Sequence, residues 1–134
     1  KYYNIQISGK NAVVIGRSDV IGKPVSMLLL DEDATVTICH SKTENLKEIA
    51  KRADILVVAM KKAEYITKDY VNPNQVVIDV GIHVKDDGSM CGDTAFSEIE
   101  PIVKAITPVP GGVGSVTTTI LASHVLKKAK ENEK

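Results

Sequence analysis

The chain has no net charge, no long apolar run and only two cysteines, and each shortage removes a class of function. Its 134 residues carry 17 basic and 17 acidic side chains, so no global field draws it to nucleic acid or to an anionic membrane. No apolar stretch approaches the ~20 residues that a membrane-spanning helix requires, which implies a soluble protein. The stretch Lys1–Gln6 has no apolar core of the signal-peptide kind. Cys39 and Cys91 stand far apart and near no histidine at ligand spacing. Neither a disulfide framework nor a metal centre is expected, and a reducing cytoplasm fits. Cys39, ending an apolar run, reads as a half-buried thiol. Repeats, low-complexity tracts and a linker to a second domain are also missing. A chain of this length can bury one core without covalent help.

What is present is an alternation of strand and helix patterns. Asn11–Ile15 and Thr35–Cys39 are short, β-branched strands, and Asp54–Ala59 and Gln75–Val80 are apolar runs suited to burial on both faces. Between them, Gly22–Leu30 predicts a helix with Pro24 in its first turn, and Glu44–Arg52 places Leu46, Ile49 and Ala50 at helical spacing. A helical turn is expected at Thr67–Val71 and a hairpin around Asp86-Asp87-Gly88 within Val84–Ser89. A short helix at Ser97–Val103, a strand at Ala105–Thr107 and a closing helix at Ser115–Lys130 complete the order. This is an α/β pattern: a single doubly wound, Rossmann-like domain over 1–134, with a mostly parallel sheet and helices on both faces. Such folds bind ligands at the carboxyl ends of their strands, here Gly16, His40, Ala59, Gly81 and Thr107.

The first loop, Gly16-Arg17-Ser18 through Gly22-Lys23-Pro24, follows a buried strand and opens a helix. Gly16 permits a sharp turn, Gly22 close helix packing, and the helix N-terminus offers N–H groups to an anion, with Arg17 and Ser18 adding a guanidinium and a hydroxyl. It departs from G-x-G-x-x-G and from the P-loop, whose Ser or Thr is replaced by Pro24. Phosphate binding and an ordinary strand–helix turn both fit it. At the next strand end, where NAD sites carry an acid, stands Cys39-His40-Ser41-Lys42-Thr43. Those residues suit a 2′-phosphate and favour NADP over NAD, while Ser41 and Thr43 equally suit helix caps. Gly81 and Ile82 would flank a nicotinamide ribose or form a plain turn, and His83 and His124 read as solvent-facing and structural histidines. Pro108-Val109-Pro110-Gly111-Gly112-Val113-Gly114 combines fixed φ angles with missing side chains, which suits either a planar ring or a rigid connection. Ser115, Thr117 and Thr118 add hydroxyls after it.

These residues resemble the cofactor-binding domain of bifunctional methylenetetrahydrofolate dehydrogenase/cyclohydrolase. The likeness runs through Val14–Ser18 and Gly22–Pro24, Ala34–Thr43, Val77–Ile82, Gly92-Asp93 and Ile106–Gly114, nearly the whole chain. It implies that Gly16, Arg17, Ser18, Ser41, Thr43 and Ile82 contact NADP, with NAD the alternative, and that Pro110, Gly111, Gly112, Val113, Gly114 and Thr117 line the pterin/nicotinamide cleft. It also implies hydride transfer from 5,10-methylenetetrahydrofolate, hydrolysis of the methenyl product to 10-formyltetrahydrofolate, and a homodimer. Family members carry a tyrosine-x-x-x-lysine motif and the folate pocket in an N-terminal domain. Neither is found here, so no catalytic residue is expected in this chain, and the isolated chain is expected to be inactive. Three places depart from the pattern. Ala59-Met60-Lys61-Lys62-Ala63 replaces Ala-x-Gly-x-Pro, Gly114-Ser115-Val116-Thr117 replaces Gly-Pro-Met-Thr, and Thr94-Ala95 stands where valine and a variable residue usually do. A non-catalytic nucleotide-binding or dimerisation module is the competing reading.

Overall fold

The computed structural model describes residues 3–132, the side chains of 117–119, 121–123 and 132 excepted. Strands β1 (Asn11–Ile15), β2 (Thr35–Cys39), β3 (Ile55–Val58), β4 (Val76–Asp79) and β7 (Ala105–Ile106) form one sheet in the order β2-β1-β3-β4-β7. Every pairing in it is parallel, with Ile15 level with Cys39 on one side and Val58 on the other. A separate antiparallel hairpin joins β5 (His83–Val84) to β6 (Met90–Cys91). Helices α1 (Gly22–Asp31), α2 (Leu46–Lys51), α3 (Phe96–Ile99) and α4 (Val113–Asn132) complete the fold.

The pleat divides the core in two. Val13, Ile15, Leu56 and Val58 face α2, where Ala50 and Ile49 meet them, with Ile99 of α3 on the same side. Their neighbours Ala12, Val14, Ile55 and Val57 face α1, against Leu29 and Val25. Both faces of β1 and β3 are therefore covered, which explains their uninterrupted apolar runs. The chain moves outward from β1 to β2, then returns to the other side of β1 for β3. That reversal opens a crevice at the carboxyl ends of β1 and β3, the place where such sheets hold ligands.

Several expected boundaries move for identifiable reasons. The second helix starts at Leu46 rather than Glu44, because Asn45 adopts a left-handed conformation at φ 56° and blocks an earlier start. The helix expected over Ser97–Val103 ends at Ile99, since Pro101 has no N–H to bond back to Ser97. The Thr67–Val71 turn is a single 3₁₀ turn at Lys68–Tyr70. The closing helix begins two residues early, at Val113.

Candidate functional site

Gly16 has φ +134°, and a side chain there would run into the Ala59 carbonyl at the end of β3. A side chain at Gly22 would in turn strike the Gly16 carbonyl. The β1–α1 turn is thus compressed against β3. Ser18 caps the helix it precedes. Its hydroxyl accepts the Ile21 and Gly22 amides at 3.1 and 3.3 Å, and its carbonyl accepts the Lys23 amide at 3.0 Å. Pro24 has no N–H to offer. The first turn of α1 therefore has no spare donor, contrary to the expectation that the helix N-terminus itself offers N–H groups to an anion. The unpaired amides lie just upstream: those of Arg17, Ser18, Asp19 and Val20 have no hydrogen-bond partner among the described residues. Asp19 in this loop is matched by Lys23 at 2.8 Å, whose ammonium holds its carboxyl below the usual range.

A cleft of about 400 Å³ opens beside this loop, and it gathers Gly16, Arg17, Ser18, Ser41 and Thr43 from the ends of β1 and β2. Neither hydroxyl at the end of β2 caps α2. Thr43 Oγ1 instead accepts the His40 amide at 2.8 Å and closes the loop on itself. The Lys42 amide donates to His40 Nδ1 at 3.2 Å, which leaves the proton of the neutral ring on Nε2. Cys39 beneath them is completely buried rather than half-buried, and burial pushes its thiol pKa up against a smaller opposing effect of Thr43. Lys61 and Lys62 bring two more cations from the loop after β3, with Lys62 Nζ 4.9 Å from the centre of the Tyr65 ring. Among the described residues, no aspartate or glutamate lines this cleft.

Two buried carboxylates hold the strand ends in place. Asp79 accepts the amides of Gly81 (2.9 Å), Asp93 (3.0 Å) and Thr94 (2.9 Å), and the Thr94 hydroxyl at 2.7 Å. Asp93 accepts the amides of Met60, Lys61 and Lys62 at 2.8, 3.2 and 3.0 Å. His83 Nε2 lies 2.7 Å from Asp93 Oδ1, so this histidine is a partner of a buried acid rather than a solvent-facing side chain. Gly81 and Gly92 are small because a side chain at either would fall on the carboxylate of Asp93 or Asp79 respectively. Sequence reasoning missed this pairing. The available signal was a glycine close to each acid, in Asp79-Val80-Gly81 and in Gly92-Asp93.

A second cleft, about 230 Å³, lies at the ends of β4 and β7 and is lined by Ile82 and by Pro110, Gly111, Gly112, Val113 and Gly114. Ile82 is 56% exposed, and a side chain at Gly114 would touch its Cδ1 at 3.5 Å. In this loop the Val109–Pro110 peptide is cis, and Gly111 has φ +92°. Thr107 Oγ1 accepts the Asp79 amide at 2.9 Å and links the two strand ends. The Thr117 side chain lies outside the described residues. His124, on α4, is exposed. The expected residues thus divide between two clefts on one edge of the sheet, with the paired carboxylates between them.

The same arrangement is matched by a family model, the NAD(P)-binding domain of tetrahydrofolate dehydrogenase/cyclohydrolase, over residues 1–133. The chain belongs to this family. Among its relatives, the bifunctional protein FolD of Carboxydothermus hydrogenoformans is 59% identical over 129 residues, covering 95% of this chain and 45% of that protein. FolD 1 of Desulfitobacterium hafniense is 56% identical over 130 residues, with 97% and 46% covered. The crystal structure of Campylobacter jejuni FolD superposes with a TM-score of 0.93 at 39% identity, covering 98% of this chain and 46% of that one. Trypanosoma brucei FolD, solved with NADP and an inhibitor, gives 0.89 at 36% identity, with 99% and 48% covered. The chain spans just under half the length of these relatives. Within this family fold, the chain presents a crevice between the ends of β1 and β3 and a glycine-rich loop beyond it.

Proposed function

We propose that this chain is the cofactor-holding half of an NADP-dependent 5,10-methylenetetrahydrofolate dehydrogenase/5,10-methenyltetrahydrofolate cyclohydrolase. The observation that carries this reading is the set of unpaired amides at residues 17–20, standing beside Arg17 over a cleft with no carboxylate. The residues fit a dinucleotide bearing an extra phosphate. The loop amides would hold the pyrophosphate, while Arg17 and Ser41 would take the charge of the 2′-phosphate, and Thr43 would hold their loop in shape. The absence of an acid at the end of β2 removes the group that would repel that phosphate. Ile82 and the Pro110–Gly114 loop would bound the nicotinamide and pterin rings. Bound NADP supplies the hydride acceptor. The chain's own contribution is to position the reacting groups and to desolvate them.

The folate pocket and the lysine for proton handling are assigned to residues outside this chain, in an N-terminal domain. The exposure of Val125 and Leu126 on α4 supports a covering by such residues. A homodimer is supported by the β5–β6 hairpin, whose edges are unpaired among the described residues and whose Val84 is 71% exposed. A reducing cytoplasm agrees with two free, buried thiols. Calorimetric titration with NADP, NAD and ADP tests the reading directly. NADP binding about tenfold tighter than NAD, or ~1.4 kcal/mol, supports it; no binding of any of the three returns the chain to a non-catalytic module. Turnover of methylenetetrahydrofolate is expected only when the chain is joined to the N-terminal half.

A further inference from the structure

Lys61 occupies a backbone position that disfavours it. Its φ is +59°, in the left-handed region that resists any side chain with a Cβ, and it is neither glycine nor asparagine. The fold does not require a lysine there. The task of residue 61 in holding its loop is done by its main-chain amide, which donates to Asp93 at 3.2 Å, and any non-proline residue would supply that donor. A side chain kept against the backbone preference, where the fold makes no use of it, points to a ligand. Lys61 shares the first cleft with Arg17 and Ser41. Neither Lys61 nor Arg17 has a carboxylate partner among the described residues. The neighbouring Lys62 differs, because its ammonium sits over Tyr65.

We propose that Lys61 is a cofactor-specificity residue that joins Arg17 in binding the phosphomonoester by which NADP differs from NAD. The inference rests on the functional reading above and adds a residue to it. A phosphomonoester carries about −1.5 to −2 charges near neutral pH, and a single guanidinium leaves part of that uncompensated. A second, flexible ammonium from the loop after β3 supplies the remainder. The pyrophosphate does not need it, since the amides of residues 17–20 are its natural donors.

The test is calorimetric titration of the chain and of its Lys61→Gln and Lys61→Gly variants with NADP and with NAD. Lys61→Gln keeps most of the length without the charge, and Lys61→Gly relieves the backbone, so a loss common to both variants does not reflect misfolding. NADP affinity is expected to fall about tenfold in both variants while NAD affinity changes by less than about twofold. Equal losses for the two cofactors would place Lys61 on the pyrophosphate and overturn the proposal, as would an unchanged NADP affinity. Those outcomes leave the functional reading standing if the parent chain still prefers NADP. A parent chain that binds neither cofactor defeats the reading, and the proposal with it.

Discussion

Asp79 and Asp93 lie at the two ends of one hydrogen-bonded relay, the Asp79 carboxylate accepting the main-chain amide of Asp93 at 3.0 Å. Both side chains are buried, and the second one anchors the loop that carries Lys61. The relay ties the ends of β3 and β4 to the hairpin through backbone donors on three separate segments. Replacing Asp79 by alanine would strand the Gly81, Asp93 and Thr94 amides and the Thr94 hydroxyl in a water-poor interior. The expected loss is about 3 kcal/mol or more, from the desolvation of donors left unpaired. Urea unfolding of Asp79→Ala against the parent measures it. A loss under about 1 kcal/mol would mean that water replaces the carboxylate at little cost.

The glycines beside these acids give a second, sharper expectation. Gly92→Ala would push a methyl group onto the Asp79 carboxylate, with no flexible chain end to move aside. Overpacking of this kind costs about 1–3 kcal/mol. Gly88→Ala is the comparison, because Gly88 has φ +84° but nothing within 4 Å of the added carbon. Backbone strain alone should cost it about 1–2 kcal/mol. Gly92→Ala is therefore expected to weaken cofactor binding through the Asp93-anchored loop, whereas Gly88→Ala should lower stability and leave binding unchanged. Paired thermal melts and NADP titrations separate the two.

The strands were legible because burial writes itself into short runs. Val13, Val14 and Ile15 are apolar on successive positions because one core takes Val13 and Ile15 and the other takes Val14. The turn after β1 was legible in part, since Gly22 is required by the nearby Gly16 carbonyl, whereas the contact that requires Gly16 comes from the Ala59 carbonyl at the end of β3. The carboxylate relay was not, because Asp79, His83 and Asp93 meet only when the hairpin folds back on β4. The capping part played by Ser18 was hidden for a related reason. A serine four residues before a glycine reads as a ligand donor until the helix start is known, and the helix uses that hydroxyl itself.

Alkaline conditions should weaken the fold through its buried thiols. Burial raises the thiol pKa of both Cys39 and Cys91 above the ordinary value. A group whose folded pKa is raised contributes stability below its unfolded pKa and loses it as pH climbs toward the folded value. Stability should therefore hold up to about pH 8.5, the ordinary thiol value, and decline above it. Cys39→Ala is expected to flatten that decline. Urea midpoints between neutral and alkaline pH test this, and a thiol reagent should modify the parent only as fast as it unfolds.

Ser18 offers a way to separate helix capping from ligand binding at one atom. In the fold its hydroxyl is committed to the Ile21 and Gly22 amides. Ser18→Ala should cost about 1 kcal/mol, the usual loss when a side-chain cap is removed from a helix start. The same change releases two donors beside the unpaired amides of residues 17–20, so pyrophosphate binding should not suffer once folding is complete. NADP and NAD affinities are both expected to stay within about threefold of the parent, under ~0.7 kcal/mol, while the melting temperature falls. A variant that keeps its melting temperature but loses affinity for both cofactors would show that the hydroxyl leaves the helix to contact phosphate. In that case the cradle includes Ser18 itself, and the first turn of α1 must open when the ligand arrives.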